Sequence, residues 1–324
     1  MNKALRFGWS EFYGDEEIHH QQTQNGNVII ANFMEPGNYY VYLCKFQQCI
    51  ENGAIFLKNM VPMCALLEDC VFTSCRSKLE GGSVQFYNTM ARCVQNRNCY
   101  EKSVSATNSM AYLQWCEAWT PFKNWALDTS VSNCGDSEAE GDGTLKHRNS
   151  EICFNNNNVT DNKCKIRSSF FGLVDYLRGY CNFSTFRKNN QTGSVSLGFY
   201  YIHGDPVPYF TIYYSKVIGN KCGKDSNQVL ILSEHDAIIV NCVILRNTAA
   251  IIFEALIDGS NLTIIDSCIQ SNLSTGSGIV EVRNENISQL ILLNCFKGSK
   301  VLTAKISCIW SFAEFSISLL VKTN

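Results

Sequence analysis

One short pattern recurs along this chain and limits what it can fold into: an apolar residue followed three positions later by Asn or Cys, often with Cys or Ser two positions before it. It stands as Cys44-Lys-Phe46-Gln-Gln-Cys49 and again as Cys70-Val-Phe72-Thr-Ser-Cys75. It returns at Val131 to Cys134, Val159 to Asn162, Phe186 to Asn189, Val217 to Asn220, Ile244 to Asn247 and Ile269 to Asn272, and breaks off at Asn294-Cys295-Phe296. From Phe46 to Phe72 is 26 residues, and from Val131 onward the steps are 28, 27, 31, 27, 25 and 27. A period this steady is the mark of a repeat architecture in which each unit buries its face only against its neighbours.

The unit is too short for the helical repeats, and the segments lack the i, i+3, i+4 apolar spacing of an amphipathic helix. The L-x-x-L-x-L-x-x-N frame of a leucine-rich repeat is also absent. Runs such as Asn261-Leu-Thr-Ile-Ile-Asp-Ser-Cys268 and Gln289-Leu-Ile-Leu-Leu-Asn-Cys295 read instead as strands for parallel stacking. The spacing predicts an all-β right-handed parallel β-helix, a solenoid of roughly ten coils with about 26 residues each. The predicted organisation is a lead-in or cap over residues 1–36, the β-helix over 37–300, and a tail or cap over 301–324. The repeat is faint between Phe72 and Val131, so the stretch from about 93 to 130 is expected to be irregular or to carry an insertion.

The 17 cysteines fit the same frame. Residues two apart on a strand point the same way, so Cys44 with Phe46 and Cys70 with Phe72 face inward as a ladder of small apolar thiols. Parallel coils hold stacked Cβ atoms about 4.8 Å apart, wider than the roughly 3.5–4.5 Å of a disulfide, so mostly free thiols are expected. The Asn or Cys after each apolar position is placed at a turn, where Asn tolerates left-handed backbone and can bond the Asn above it.

These residues resemble a known family, the cysteine- and asparagine-rich right-handed β-helix repeat proteins of anaerobic flagellate protists, within the pectin-lyase-like fold class. The resemblance rests on Gly37-Asn-Tyr-Tyr-Val-Tyr-Leu-Cys-Lys-Phe-Gln-Gln-Cys49, Leu127-Asp-Thr-Ser-Val-Ser-Asn-Cys-Gly135, Val159-Thr-Asp-Asn-Lys-Cys164 and Ile244-Leu-Arg-Asn-Thr248, and spans most of Gly37 to Lys300. It implies a cell-surface protein, in a family many of whose members end in a membrane anchor. No such anchor and no signal peptide is visible in this chain. The family has no settled activity, so the resemblance transfers no site residue.

The candidate chemistry is thin. A β-helical polysaccharide lyase or glycoside hydrolase needs converging carboxylates, with Ca²⁺ and a base or as an acid–base pair. Glu254, Asp258 and Asp266 fall in different thirds of their coils, and Arg246 and Arg283 have no acidic neighbour one coil away. Asp136-Ser-Glu-Ala-Glu-Gly-Asp142 has the outline of a calcium loop, yet His147 stands where a bidentate Glu belongs, so a solvated turn is expected. Tyr112, Trp115, Trp119, Phe122 and Trp125 have the spacing of a short helix begun at Thr120-Pro121, packed over a flank, with sugar or protein contact as the sharper reading. His19, His20, His147, His203 and His235 lack metal-binding spacing, and His203-Gly-Asp205-Pro206 reads as a turn. The sequons at Asn158, Asn182, Asn190, Asn261, Asn272 and Asn286 are about as many as chance gives so Asn-rich a chain. No catalytic residue, cofactor or metal ligand is therefore assigned.

A net charge of −2 without a basic run argues against nucleic acid. The most apolar stretch, Ile306 to Val321, is broken by Glu314 and four serines, so no membrane span is expected. What remains is a non-catalytic scaffold binding glycan or protein through its lateral faces.

Overall fold

The computed structural model describes residues 8–23, 29–33, 37–59, 63–88, 91–116, 123–138, 140–175, 177–190, 195–201, 210–223, 228–270 and 274–284. The expectations for Trp119, Phe122, His203, Asp205, Asn272, Asn286, the run from Gln289 to Phe296 and residues 301–324 lie outside the described residues.

The chain is an all-β parallel solenoid. A coil places one strand in each of three sheets: Tyr39–Tyr42 in the first, Lys45–Gln47 in the second and Ile55–Asn59 in the third. Each strand pairs in parallel with its counterpart one coil on. The sheets hold eleven, nine and ten strands, so the described residues complete nine coils, one fewer than the roughly ten expected. A two-stranded ribbon of Arg76–Ser77 and Val104–Ser105 lies beside them. The single described helix, Trp9–Tyr13, does not sit at an end of the solenoid. Its Trp9, Phe12 and Tyr13 cover Cys64, Leu66 and Val94 on the outer face of the first sheet.

The register follows the sequence period. Phe46, Phe72, Tyr100, Val131, Val159, Phe186, Val217, Ile244 and Ile269 are successive partners in the second sheet. Tyr100 is the rung that the sequence leaves faint, and regular strands, Ala91–Asn96, Cys99–Glu101 and Tyr112–Trp115, run through the stretch expected to be irregular. Its tyrosine continues the aromatic stack: Phe46 on Phe72 at 4.9 Å and Phe72 on Tyr100 at 4.6 Å, with ring planes nearly parallel. Each such ring is fully buried, and burying a side chain of this size contributes about 1.5–3 kcal/mol.

Two corner columns flank this stack. Two residues before the apolar rung stand Cys44, Cys70, Asn98, Thr129, Asn157, Ser184, Ser215, Cys242 and Ser267; three after it stand Cys49, Cys75, Ser103, Cys134, Asn162, Asn189, Asn220 and Asn247, all buried. Left-handed backbone does not fall on these residues as expected but on the residue just before each. Leu43, Asp69, Arg97, Asp128, Asn156, Phe183, Tyr214, Asn241 and Asp266 have positive φ at the first corner, and Gln48, Ser74, Lys102, Asn133, Asp161, Lys188, Gly219 and Arg246 at the second. The reason is geometric. The left-handed residue turns the chain and sends its own side chain outward, which aims the next one back across the coils. There the amides bond as expected: Asn162 Nδ2 donates to Asn189 Oδ1 at 2.9 Å, Asn189 Nδ2 to Asn220 Oδ1 at 3.1 Å, and Asn220 Nδ2 to Asn247 Oδ1 at 3.1 Å.

Among the described residues fourteen cysteines are free thiols, all buried except the half-buried Cys153, and Cys99 is disulfide-bonded. They do not form one ladder. Cys93 and Cys181 line the interior from the first sheet, and Cys64 lies outside it under the helix.

Midway along, the interior turns polar. Tyr100 donates to Gln95 Oε1, Gln95 Nε2 donates to Gln114 Oε1 at 2.7 Å, and Gln114 Nε2 donates to the Cys93 carbonyl at 2.9 Å. Asn124 Nδ2 donates to the carbonyls of Arg148 and Asn149, each at 2.8 Å, leaving Oδ1 to accept from His147 Nδ1 at 2.8 Å. His147 Nε2 therefore accepts from the Tyr112 hydroxyl at 2.9 Å. Nothing in the repeat announces this network, because its members occupy inward rungs that elsewhere hold mostly apolar residues, such as Leu57, Phe86 and Phe199 in the column of Gln114 and His147.

Candidate functional site

The acids weighed for catalysis do not converge. Glu254 lies on the outer face of the third sheet in register with Leu232 and Thr275, Asp258 in the exposed turn after it, and Asp266 at the first corner. Arg246 stands at the second corner, and Arg283 pairs with Glu281 of its own strand at 2.5 Å, not with an acid that could join Glu254, Asp258 or Asp266. Carboxylates do meet at Glu68 and Asp69. Both bond Arg97 of the next coil, at 2.8 Å each, and the buried Glu68 also accepts from Asn96 and Tyr40. Both acids are thus engaged by one guanidinium, with Glu68 buried and Asp69 partly exposed, so they do not stand apart as an acid–base pair.

The acidic run 136–142 is also tied down. Asp136 pairs with Arg76 at 2.9 Å, and Asp142 pairs with Lys146 at 2.9 Å and with Arg167. These two aspartates reach cations in different places instead of converging on one point. His147, weighed as the last position of a calcium loop, is in the core, where burial lowers its pKa to about 3 and keeps it neutral. His19 accepts from the Asn38 amide, His20 stacks on Tyr39 and His235 meets Tyr201 edge-on, so the described histidines are apart.

The thiols have little nucleophilic character. Burial pushes Cys64 up to about 11, and Cys75, Cys134, Cys153, Cys164 and Cys242 to about 12, so at neutral pH they are protonated.

The aromatic run expected to form a helix is divided among three places. Tyr112 points into the core, Trp115 sits on the outer face of the third sheet, and Trp125 on that of the first beside the helix. Two strands, Tyr112–Trp115 and Lys123–Leu127, replace the helix because alternate residues there must feed the interior.

Trp115 belongs to a cation–aromatic column running Lys58, Tyr87, Trp115, Arg148 on consecutive coils. Lys58 lies 5.5 Å over Tyr87, Tyr87 meets Trp115 edge-on at 4.4 Å, and the Arg148 guanidinium sits 3.7 Å over the indole. Further along the same face Arg167 covers both Phe171 and Tyr200, and Asp142 neutralises it.

One exposed cluster was not anticipated. Phe183 and Tyr214, left-handed residues of adjacent coils at the first corner, stack with centroids 5.3 Å apart and planes 4° from parallel. Tyr213 lies beside them, 6.4 Å from Tyr214. All three are exposed: 45%, 43% and 36%. The signal in the sequence is Phe and Tyr in a column otherwise rich in Asp and Asn, but it becomes readable only once the left-handed position is known.

These features define a parallel β-solenoid with a closed interior and ornamented corners. No known protein family, curated protein or solved structure matches the chain. Among the described residues no helix is long and apolar enough to cross a membrane.

Proposed function

We propose that this chain is a non-catalytic β-helical scaffold, right-handed and of the pectin-lyase-like class, whose lateral faces bind glycan or protein at a cell surface. One observation carries the reading. Where carboxylates gather, at Glu68 with Asp69 and at Asp142, cations close them off, whereas the aromatic side chains of one corner stand open to solvent. A solenoid suits such a role because its outward residues can vary without disturbing the rungs that hold the coils together. Right-handedness follows from the strong preference of parallel β crossovers for that hand.

The test is to incubate the chain with polyuronates while screening it on a glycan array. Retention without product supports the scaffold, and release of unsaturated or reducing ends would replace it with a lyase or hydrolase.

A further inference from the structure

The corner formed by Phe183, Tyr213 and Tyr214 breaks a local rule twice. Phe183 and Tyr214 have φ of +52° and +51°, a region that bulky side chains rarely enter. In the same column Asp69, Asp128, Asn156, Asn241 and Asp266 fill the position with residue types that tolerate it, Arg97 is held by its two carboxylates, and Leu43, the other apolar member, is half-buried. The two rings also stay in water. Among the described residues, every aromatic side chain counted as exposed gathers here. Backbone strain combined with exposed apolar surface contributes nothing to folding, so its retention points to a ligand.

The chemistry of the patch narrows the ligand. Neither phenol hydroxyl of Tyr213 or Tyr214 has a partner among the described residues, nor does the Asn241 side chain on the next rung. The flanking rungs, Asn156 and Asn241, carry amides shorter than a ring, which leaves the outer faces of the stack uncovered. Three rings exposed to this degree offer about 300 Å², on the usual area of aromatic side chains. A stable protein partner needs about 800 Å² per side, so the patch is too small for a second copy and suits a flat ligand. Flat, weakly polar C–H faces edged with hydroxyls describe a pyranose. Lys216, two residues beyond Tyr214, belongs to the second sheet, in register with Thr185 and Val243.

We propose that this corner is a saccharide-binding site for neutral pyranose chains, with rings packed on the open faces of Phe183 and Tyr214 and hydroxyls bonded to the two phenols and the Asn241 amide. The proposal rests on the scaffold reading and gives it a ligand class. The experiment is calorimetric titration of the full chain with neutral β-linked glucose, xylose and mannose hexasaccharides, and with oligogalacturonate, for the native chain and for the double variant Phe183→Asn with Tyr214→Asn.

The expected result is binding of at least one neutral hexasaccharide and a tenfold or greater loss of affinity in the variant, with Tm unchanged or raised because Asn suits both positions. That divergence separates a ligand site from a merely structural one. Undiminished binding by the variant would overturn this site while leaving the scaffold reading intact. Binding of oligogalacturonate alone, failure to bind any hexasaccharide, or a native dimer that the variant dissolves would each overturn it as well.

Discussion

The first and the last coils solve one problem with different chemistry. At Cys49 and Cys75 the corner socket holds thiols, while at Asn162, Asn189, Asn220 and Asn247 it holds amides. In the amide socket the side chain accepts the backbone N–H of the corner residue one coil earlier and donates to a carbonyl of that coil. Asn220 accepts from the Asn189 N–H at 3.0 Å and donates to the Phe186 carbonyl at 3.0 Å. Cys75 reaches the Phe46 carbonyl only at 4.0 Å, and at the first corner Cys242 accepts from the Ser215 N–H at the longer distance of 3.4 Å. Serine does the same at the first corner, where Ser215 accepts from the Ser184 N–H at 3.1 Å and donates to the Cys181 carbonyl at 3.2 Å. Cys, Ser and Asn interchange along the sequence because each is short and carries a donor and an acceptor; only Asn adds a bond to its own kind. The thiols therefore stabilise by filling space, the amides by pairing.

The contrast is tested most severely in the amide ladder. Replacing Asn220 with Leu removes the partner of the buried Asn189 N–H and of the Phe186 carbonyl and takes one of their two bonds from Asn189 Nδ2 and Asn247 Oδ1, a loss of about 4 kcal/mol at roughly 1–3 per group. A shift of the urea midpoint corresponding to less than about 1 kcal/mol would show that the ladder is ornamental.

Between the two regions sits the polar interior, and acid should attack it first. The His147 imidazole takes up a proton near pH 6.5 when unfolded but only at about 3 when folded, because burial opposes its charge. Over that window the unfolded chain binds more protons. Stability from this group is complete above about pH 6.5 and falls by about 1.4 kcal/mol per unit as the pH drops towards 3. In denaturation curves between pH 7 and 4, His147→Gln should flatten this slope. An unchanged slope would place the acid sensitivity elsewhere.

Smaller effects separate thiols from amides. Cys70→Ala removes the thiol's bonds to the Val41 and Glu68 carbonyls and opens a small void, a loss of about 2 kcal/mol measured by the same midpoint. Cys134→Asn should gain about 0.5–1 kcal/mol, since the Asn162 carboxamide already accepts from the Cys134 N–H and the new amide would extend the ladder by a rung. A clear destabilisation would mean that the sockets are not equivalent.

The period from Phe46 to Ile269 made the solenoid legible, since a residue that must face inward once per coil marks its own spacing. Tyr100 was harder to see because Ser103 stands where Cys or Asn marks the other rungs. The left-handed position was misplaced by one residue, as sequence alone does not tell the residue that turns from the residue that bonds. The corner aromatics and the His147 network were hidden for a common reason: each depends on neighbours 19 to 35 residues away, visible only after the coils are stacked.

Stacking in register is therefore the claim to test most directly. Nitroxide labels at half-buried Thr160 and exposed Arg187, outward-facing partners in the second sheet, should lie about 5 Å apart at the backbone. Continuous-wave electron paramagnetic resonance should show strong dipolar and exchange broadening for that pair, and much less for Thr160 with Ile218, two coils away. Sharp lines from Thr160 with Arg187, or equal broadening in both pairs, would contradict the solenoid.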